Sequence, residues 1–499
     1  MEIFSFDIIT LFTWQNMLAI IMGVLFGICI GMMPGLGPTV GVALILPVTY
    51  TMGTVPAILL LVALYQAAEY GGSISAITLG IPGTASAVAT TLDGHPMSKM
   101  GFPGRALGYS LYSSVFGGIF GGIVLLLLIA PLTKIAIKFS DPEIFLIALL
   151  GLVSVVGLGS KDIPKSVVSV LLGLLLSTMG MDVFTGISRF TMDIPSLSDG
   201  IPFVALITGL FAVPEVINLA IGNLDAVYVS DTRNLKVSLA WNEFKEILRT
   251  VLKGSVIGTI IGIIPGVGPS AATWISYAEA KRVSREPERF GKGAPDGIAA
   301  SESANNACVG GALLPLLSLG IPGSGTIAVI SSAFIIKGIQ PGPQVFQTQS
   351  DLILGIIWGF LLATIVLWIV GKYMTAFFAR LLTIPNYVLL VIVFFAAMIG
   401  AYGTRYNLFD VGVAFTVGCI GFFVSRLDYS FPCFVMAFIL GKLIETSLRR
   451  SLMLSRGSYA IFFTRGYCIA ILCIILLVVS LTIYSRVKKR RNAGERTPI

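Results

Sequence analysis

Apolar runs long enough to cross a bilayer recur along the chain from Met17 to Ile483. Stretches of 18 or more apolar residues read as membrane spans, and their recurrence leaves no room for a large soluble domain. Only 12% of the 499 residues are charged while 56% are hydrophobic. That is half the charged share of an average soluble domain, about 25%, so a water-soluble protein of this length could not cover itself. The chain therefore reads as an all-α polytopic membrane protein. Its single histidine, His95, excludes a bis-His haem, a His-built zinc site and most Ser-His catalysis. The six cysteines (Cys29, Cys308, Cys419, Cys433, Cys468, Cys473) are scattered through apolar segments without metal-ligand spacing and read as small buried hydrophobes. No cofactor is expected.

The Gly and Pro residues interrupting these runs are placed twice. Residues 23–38 read GVLFGICIGMMPGLGP and residues 254–269 read GSVIGTIIGIIPGVGP. At one constant offset, Gly23, Gly27, Gly31, Pro34, Gly35, Gly37 and Pro38 meet Gly254, Gly258, Gly262, Pro265, Gly266, Gly268 and Pro269. A second pair follows: GGSISAITLGIPGT (Gly71 to Thr84) and GGALLPLLSLGIPGS (Gly310 to Ser324), with one inserted residue in the later copy. Two related halves are a signature of secondary transporters. The boundaries read as a first membrane repeat over 1–221, with units at 17–50 and 65–98 and further spans to 221. A polar cytoplasmic linker over 222–253 follows, then a second repeat over 254–485 and a basic tail over 486–499.

Charge sets the orientation. The stretches flanking the second Gly-rich unit carry Arg233, Lys236, Arg249 and Lys253, then Lys281, Arg282, Arg285, Arg289 and Lys292. Lys and Arg mark the cytoplasmic side. The two arms around Pro265–Pro269 are about half a bilayer long at roughly 1.5 Å per residue, so 254–280 reads as a re-entrant hairpin with both ends inside. The matching first-half loop, 50–56, is uncharged, which fits the outer face. Threading the spans 106–130, 142–160, 166–180 and 200–221, the hairpin, the GIPG unit at 297–337 and the spans 351–371, 385–402, 408–424 and 466–485 gives two inverted repeats. The tail, with Arg486, Lys488, Lys489, Arg490, Arg491 and Arg496, then lies inside. One loop objects: Arg449, Arg450, Arg456 and Arg465 fall outside unless 431–444 is itself re-entrant.

Gly at i, i+4 and i+8 lets another backbone approach one helix face closely. The PGxGP that follows breaks the helix, because Pro removes donors and Gly permits turns other residues resist. A broken helix within a bilayer is tolerated only where it is buried or lines a cavity. Its freed N–H groups and the positive end of the next helix favour an anion. This points to Pro34, Gly35, Gly37, Thr39, Gly266, Gly268 and Ser270 as substrate-site lining, and at the GIPG breaks to Ser73, Gly83, Thr84, Gly323 and Ser324. Hydroxyls flanking the breaks, such as Ser75, Ser86, Thr90 and Thr326, offer bonds to a carboxylate or to Na⁺, although each alone more often bonds its own helix backbone. The run Ser301-Glu302-Ser303-Ala304-Asn305-Asn306 is a polar knot entering an apolar span, and Asn305 and Asn306, with carbonyl acceptors and amide donors, join the substrate-site candidates, with interhelical hydrogen bonding as the other reading. A Na⁺ site is expected near Ser75, Thr326 and Asn306. Intramembrane carboxylates default to function, which nominates Glu69 and Glu302 as ion-coupling groups; Glu302 reads equally as an interfacial residue near a helix start. Asp93 and His95 belong to an LDGHP turn, where Asp93 reads as a cap and His95 as a loop residue.

The runs GMMPGLGPTVGVALILP, YGGSISAITLGIPGTASAVATTLDGHPMSKMG, ESANNACVGGALLPLLSLGIPGSGTIAV and KGIQPGP resemble the large permease subunit of the tripartite tricarboxylate transporters (TctA-like) over nearly the whole chain. The resemblance implies uptake of a di- or tricarboxylate across the bacterial inner membrane by Na⁺ or proton symport. It also implies an elevator-type mechanism, with a small four-helix membrane subunit and a periplasmic solute-binding protein as partners. The competing classes fare worse. A channel needs a continuous polar pore rather than broken helices, and a stand-alone anion permease without a binding protein is the nearest alternative. A primary pump needs a nucleotide loop, and no GxxxxGK[ST] occurs. An intramembrane enzyme needs a dyad or metal cluster. Nucleic-acid binding would need a basic domain beside the tail.

Overall fold

A computed structural model describes residues 7–159, 162–222, 235–381, 386–403 and 405–494. Residues 223–234 of the expected linker and 495–499 of the tail lie outside the described residues. The first half contains α1 (Trp14–Met32), α2 (Gly37–Ile45), α3 (Thr54–Leu79), α4 (Val88–Lys99), α5 (Pro103–Ala136), α6 (Asp141–Gly159), α7 (Ile163–Ser177) and α8 (Phe203–Ile221). The second contains α9 (Trp241–Ile263), α10 (Gly268–Val283), α11 (Pro295–Leu319), α12 (Gly325–Ile336), α13 (Pro343–Thr348), α14 (Ser350–Leu381), α15 (Asn386–Gly403), α16 (Leu408–Arg426), α17 (Phe431–Leu454), α18 (Ile461–Thr464) and α19 (Gly466–Gly494). Among the described residues the only sheet is a two-stranded ribbon pairing Gly180–Met181 with Ser188–Arg189. Eight of the described helices, α1, α3, α5, α8, α14, α16, α17 and α19, are long and apolar enough to cross a membrane. The chain is an all-α, multi-pass membrane protein.

The breaks fall where Pro and Gly require them. α1 stops one residue before the turn Pro34–Leu36, and α2 restarts at Gly37 with Pro38 in its first turn. α9 and α10 repeat this around Pro265–Val267. Gly35 (φ 95°) and Gly266 (φ 78°) hold the left-handed conformation in the two turns, which a side chain resists. α9 begins at Trp241, so the last part of the polar stretch is a helix whose Phe244, Ile247 and Val251 are buried. α3 and α11 each end on a left-handed glycine, Gly80 and Gly320.

The glycine stripes act as the spacing predicts. Gly23, Gly27 and Gly31 of α1 rest on the backbone carbonyls of Leu60, Leu64 and Ala68 in α3. In the second half, Gly254, Gly258 and Gly262 of α9 rest on Ala300, Ala304 and Cys308 of α11. A Cβ at any of these positions would meet backbone inside normal contact. The result buries α3 and α11 on nearly every side, although α11 carries the polar run Ser301 to Asn306.

The chain divides into two compact units: Met1–Thr133 with Pro202–Ile264 and Gly268–Leu427, and Lys134–Ile201 with Pro265–Val267 and Asp428–Ile499. The halves exchange partners. In the first unit α8, from the first half, packs against α15 and α16 from the second, with Gly209 against the Ala414 backbone. In the other unit α17, from the second half, packs against α6 and α7, with Gly173 against the Phe434 carbonyl. α17 is an unbroken helix of 24 residues, which removes the re-entrant option for 431–444. Three of the four arginines in question reach carboxylates, Arg450 lying 3.9 Å from Asp141. Arg449 donates to Asp182 at 2.8 and 2.9 Å and to Glu445 at 3.3 Å, and Arg465 to Glu143 at 2.6 Å. Asp182 also accepts from the Phe184 N–H at 2.9 Å. That backbone bond, followed by the Arg449 guanidinium, holds its carboxyl down at about 2.

Candidate functional site

Three helices of the first unit begin at one place. Thr39, in the first turn of α2, shares a 2.8 Å hydroxyl bond with Thr326 in the first turn of α12. Ser324 caps α12 by accepting from the Ile327 N–H at 3.2 Å, and its hydroxyl lies 3.2 Å from the Tyr65 hydroxyl on α3. A Cβ added to Gly268, the first residue of α10, would lie 4.0 Å from the Ser324 Cβ. The N-terminal ends of α2, α10 and α12 thus gather around Ser324 and Tyr65, and their free N–H groups and positive dipole ends create an anion-favouring locus. Gly323 packs on Ala312 and the Gly262 carbonyl with no room for a Cβ, which holds the extended arm into α12 against α11.

The first-half GIPG segment also folds back on its helix. The Gly83 N–H donates to the Gly72 carbonyl at 3.2 Å, and the His95 Nδ1 lies 3.2 Å from the Ile77 carbonyl. Residues 88–99 are α4, so Asp93 and His95 sit on a helix and not in a turn. Thr84 accepts from the Ala87 N–H at 3.3 Å and bonds Ser86, and Ser86 donates to the Glu69 carboxylate at 2.5 Å. Glu69 is one helical turn from Tyr65, on the same face of α3.

Glu302 is fully buried in a cage of hydroxyls. Thr90 of α4 donates to one of its oxygens, and Ser110 and Ser114 of α5 donate to the other at 3.2 and 2.9 Å. Ser73, expected at the substrate site, bonds Ser110 at 2.6 Å and so belongs to this cage. Neither glutamate has an ion-pair partner among the described residues. The expected sodium ligands find partners in separate places: Ser75 on the Gly72 carbonyl of its own helix, Thr326 on Thr39, and Asn306 on the Gln66 carbonyl. Ser270 is half-buried in α10, and its carbonyl accepts from Thr273. Pro34 is half-buried in the first tip, where Gly35 leaves room for the Glu215 carboxylate of α8. Gly266 leaves the same kind of room for the Val155 side chain.

Asp93 corrects its sequence reading furthest. It is fully buried and caps the entry to α11 in the other half. One oxygen accepts from the N–H groups of Gly291, Gly293 and Ala294 at 2.8, 2.9 and 2.8 Å, and the other from the Tyr277 hydroxyl at 2.8 Å. The sequence reading also passed over Tyr65, Gln66, Ser110, Ser114 and Glu215. The spacing of Tyr65 to Glu69 and the run Ser110, Ser113, Ser114 inside apolar α5 were the available signals. On the polar side of α9 and α10 a cavity of about 390 Å³ is lined by Arg249, Lys253, Arg285, Thr250, Ser276 and Asp296, among others.

Over 484 residues, 97% of this chain and 96% of the relative, the sequence is 36% identical to a protein of Agrobacterium vitis described as an uncharacterized 52.8 kDa protein in the TAR-I ttuC' 3' region. A second Agrobacterium vitis protein, described as uncharacterized and in the TAR-II ttuC' 3' region, is 35% identical over 225 residues, 45% of this chain and 93% of that relative. No solved structure matches the chain significantly. The model of the Tripartite tricarboxylate transporter TctA family matches residues 17–436, and the chain belongs to that family.

Proposed function

We propose that this permease subunit imports a di- or tricarboxylate-type organic anion across the bacterial inner membrane by Na⁺ or proton symport. In this reading a periplasmic solute-binding protein delivers the anion, and a small four-helix membrane subunit completes the complex. The observation that carries it is the meeting of the α2, α10 and α12 N-termini around Ser324 and Tyr65. Backbone N–H groups, hydroxyls and helix dipoles attract a carboxylate through many weak donors, with no Lys or Arg clamp that would hinder release. The matched breaks in the two halves favour inverted repeats and an elevator-type cycle, as the family resemblance implies.

The test is uptake by the reconstituted complex with and without a Na⁺ or pH gradient. Thr39→Val and Thr326→Val remove hydroxyls from the helix starts without adding bulk. Each is expected to slow uptake about fivefold, the equivalent of one neutral hydrogen bond of about 1 kcal/mol, with unchanged membrane insertion. Undiminished uptake in both variants refutes the site, and uptake indifferent to both gradients refutes symport.

A further inference from the structure

A second feature lies where α3 crosses α11, one turn from Tyr65. The Asn305 amide nitrogen donates to the Glu69 backbone carbonyl at 3.2 Å, and the Asn306 amide nitrogen to the Gln66 backbone carbonyl at 3.0 Å. Only an NH₂ group can make those bonds, so the remaining amide atom of each side chain is the oxygen. Both oxygens are buried and have no hydrogen-bond partner, and so is the Gln66 amide oxygen, whose nitrogen faces Thr364 at 3.4 Å. Gln66, Asn305 and Asn306 are each fully buried. The Glu69 carboxyl group adjoins this crossing, with Ser86 on one oxygen and the Asn305 side chain facing it.

Buried polar groups are paired in nearly all proteins, and each exception calls for a reason. Here all three exceptions are acceptors. An anion requires donors, so these oxygens do not suit the substrate carboxylates. A hard cation takes oxygen ligands of this kind: amide carbonyls, a carboxylate and hydroxyls. One carboxylate among neutral amides balances a single positive charge.

We propose that Gln66, Asn305 and Asn306, with Glu69, form a monovalent-cation site for Na⁺ at the α3–α11 crossing. The inference rests on the symport reading above and names the ligands of its coupling ion. It moves Asn305 from the substrate to the cation, keeps there Asn306, expected near both, and adds Gln66. Tyr65 and Glu69 share one face of α3, so the cation side and the anion side of the load are separated by a single helical turn.

The experiment is thermal unfolding of the full-length protein in detergent, titrated with NaCl against KCl and choline chloride at constant ionic strength. The wild-type protein is expected to show a saturable rise in Tm with Na⁺ alone, since a ligand bound only by the native state stabilises it. Gln66→Leu and Asn306→Leu should raise the half-saturating Na⁺ concentration at least tenfold. Gln66→Glu, which keeps the shape and adds charge, should lower it severalfold and decides the matter if the leucine variants do not fold. Identical Tm in all three salts overturns the proposal and assigns the oxygens to buried water, as does an unchanged Na⁺ response in Gln66→Leu and Gln66→Glu. No substrate or partner enters this measurement. Loss of carboxylate uptake with the Na⁺ response intact therefore defeats the transport reading and leaves the cation site standing.

Discussion

Replacing Asp93 by alanine should be among the most damaging single changes in the chain. The carboxylate receives three backbone N–H bonds and one hydroxyl bond, each of 2.8 or 2.9 Å. Two of the four donors, the Ala294 N–H and the Tyr277 hydroxyl, are in fully buried contacts, while the Gly291 and Gly293 bonds are partly open. Leaving a buried donor unpaired costs about 1–3 kcal/mol. The two buried donors together therefore give about 2–6 kcal/mol, with a smaller addition from the two that water can reach. Asparagine retains one oxygen for the three N–H groups and can turn its NH₂ to the Tyr277 oxygen, so Asp93→Asn should cost about 1–2 kcal/mol, mainly the charge assistance. Tyr277→Phe removes one donor and should cost about 1 kcal/mol. Equilibrium unfolding of the purified protein in mixed micelles would rank the three variants. A loss below about 1 kcal/mol for Asp93→Ala, or equal losses for alanine and asparagine, would refute the assignment of Asp93 as the cap of α11.

Two further outcomes follow from packing and from charge. Gly258→Leu must push α9 off the Ala304 backbone, so folded yield should collapse, whereas Val256→Leu on the exposed side of the same helix should leave yield unchanged; fluorescence-detected size exclusion reads both. The Asp182 carboxyl is held at about 2, below the unfolded value of about 3.9. A depressed carboxylate contributes stability that is complete above the unfolded value and is lost as pH falls toward the folded one. The Tm gap between wild type and Asp182→Asn should therefore be constant from pH 7 to about 5 and narrow between about pH 4 and 2; a gap that widens toward acid would contradict the Phe184 and Arg449 contacts.

The fold was legible wherever one residue type dictates the backbone. Pro34 with Gly35 and Pro265 with Gly266 mark the helix breaks, and the glycines four apart mark the faces where α1 meets α3 and α9 meets α11. Those are local constraints, and the repeat wrote each of them twice. The site was legible only in part. Thr39, Ser324 and Thr326 stand at helix starts, and a break in sequence is a helix start in space. The partners of Ser73 and Asp93 could not be read in advance because Ser110 and residues 291–294 are distant in sequence. A hydroxyl or carboxylate carries no local mark of which helix it will face. Tyr65 and Gln66 went unnoticed because an aromatic and an amide in an apolar helix look like ordinary core until the neighbouring helix shows which of their atoms lack a partner. The ion pairs of Arg449 and Arg465 were hidden for a related reason: Asp182 and Glu143 lie more than 250 residues away along the chain.

The exchange of helices between the halves also sets a timetable for biogenesis. Gly209 of α8 meets its partner Ala414 about two hundred residues later, and chains grow at roughly 5–20 residues per second. The groove of α8 therefore faces lipid, or whatever assists insertion, for about 10–40 seconds before α16 exists to fill it. α6 and α7 wait longer still, for α17. Neither half has all its native neighbours until the other has been made, so a chain cut between α8 and α9 should yield two fragments that accumulate only when synthesised together.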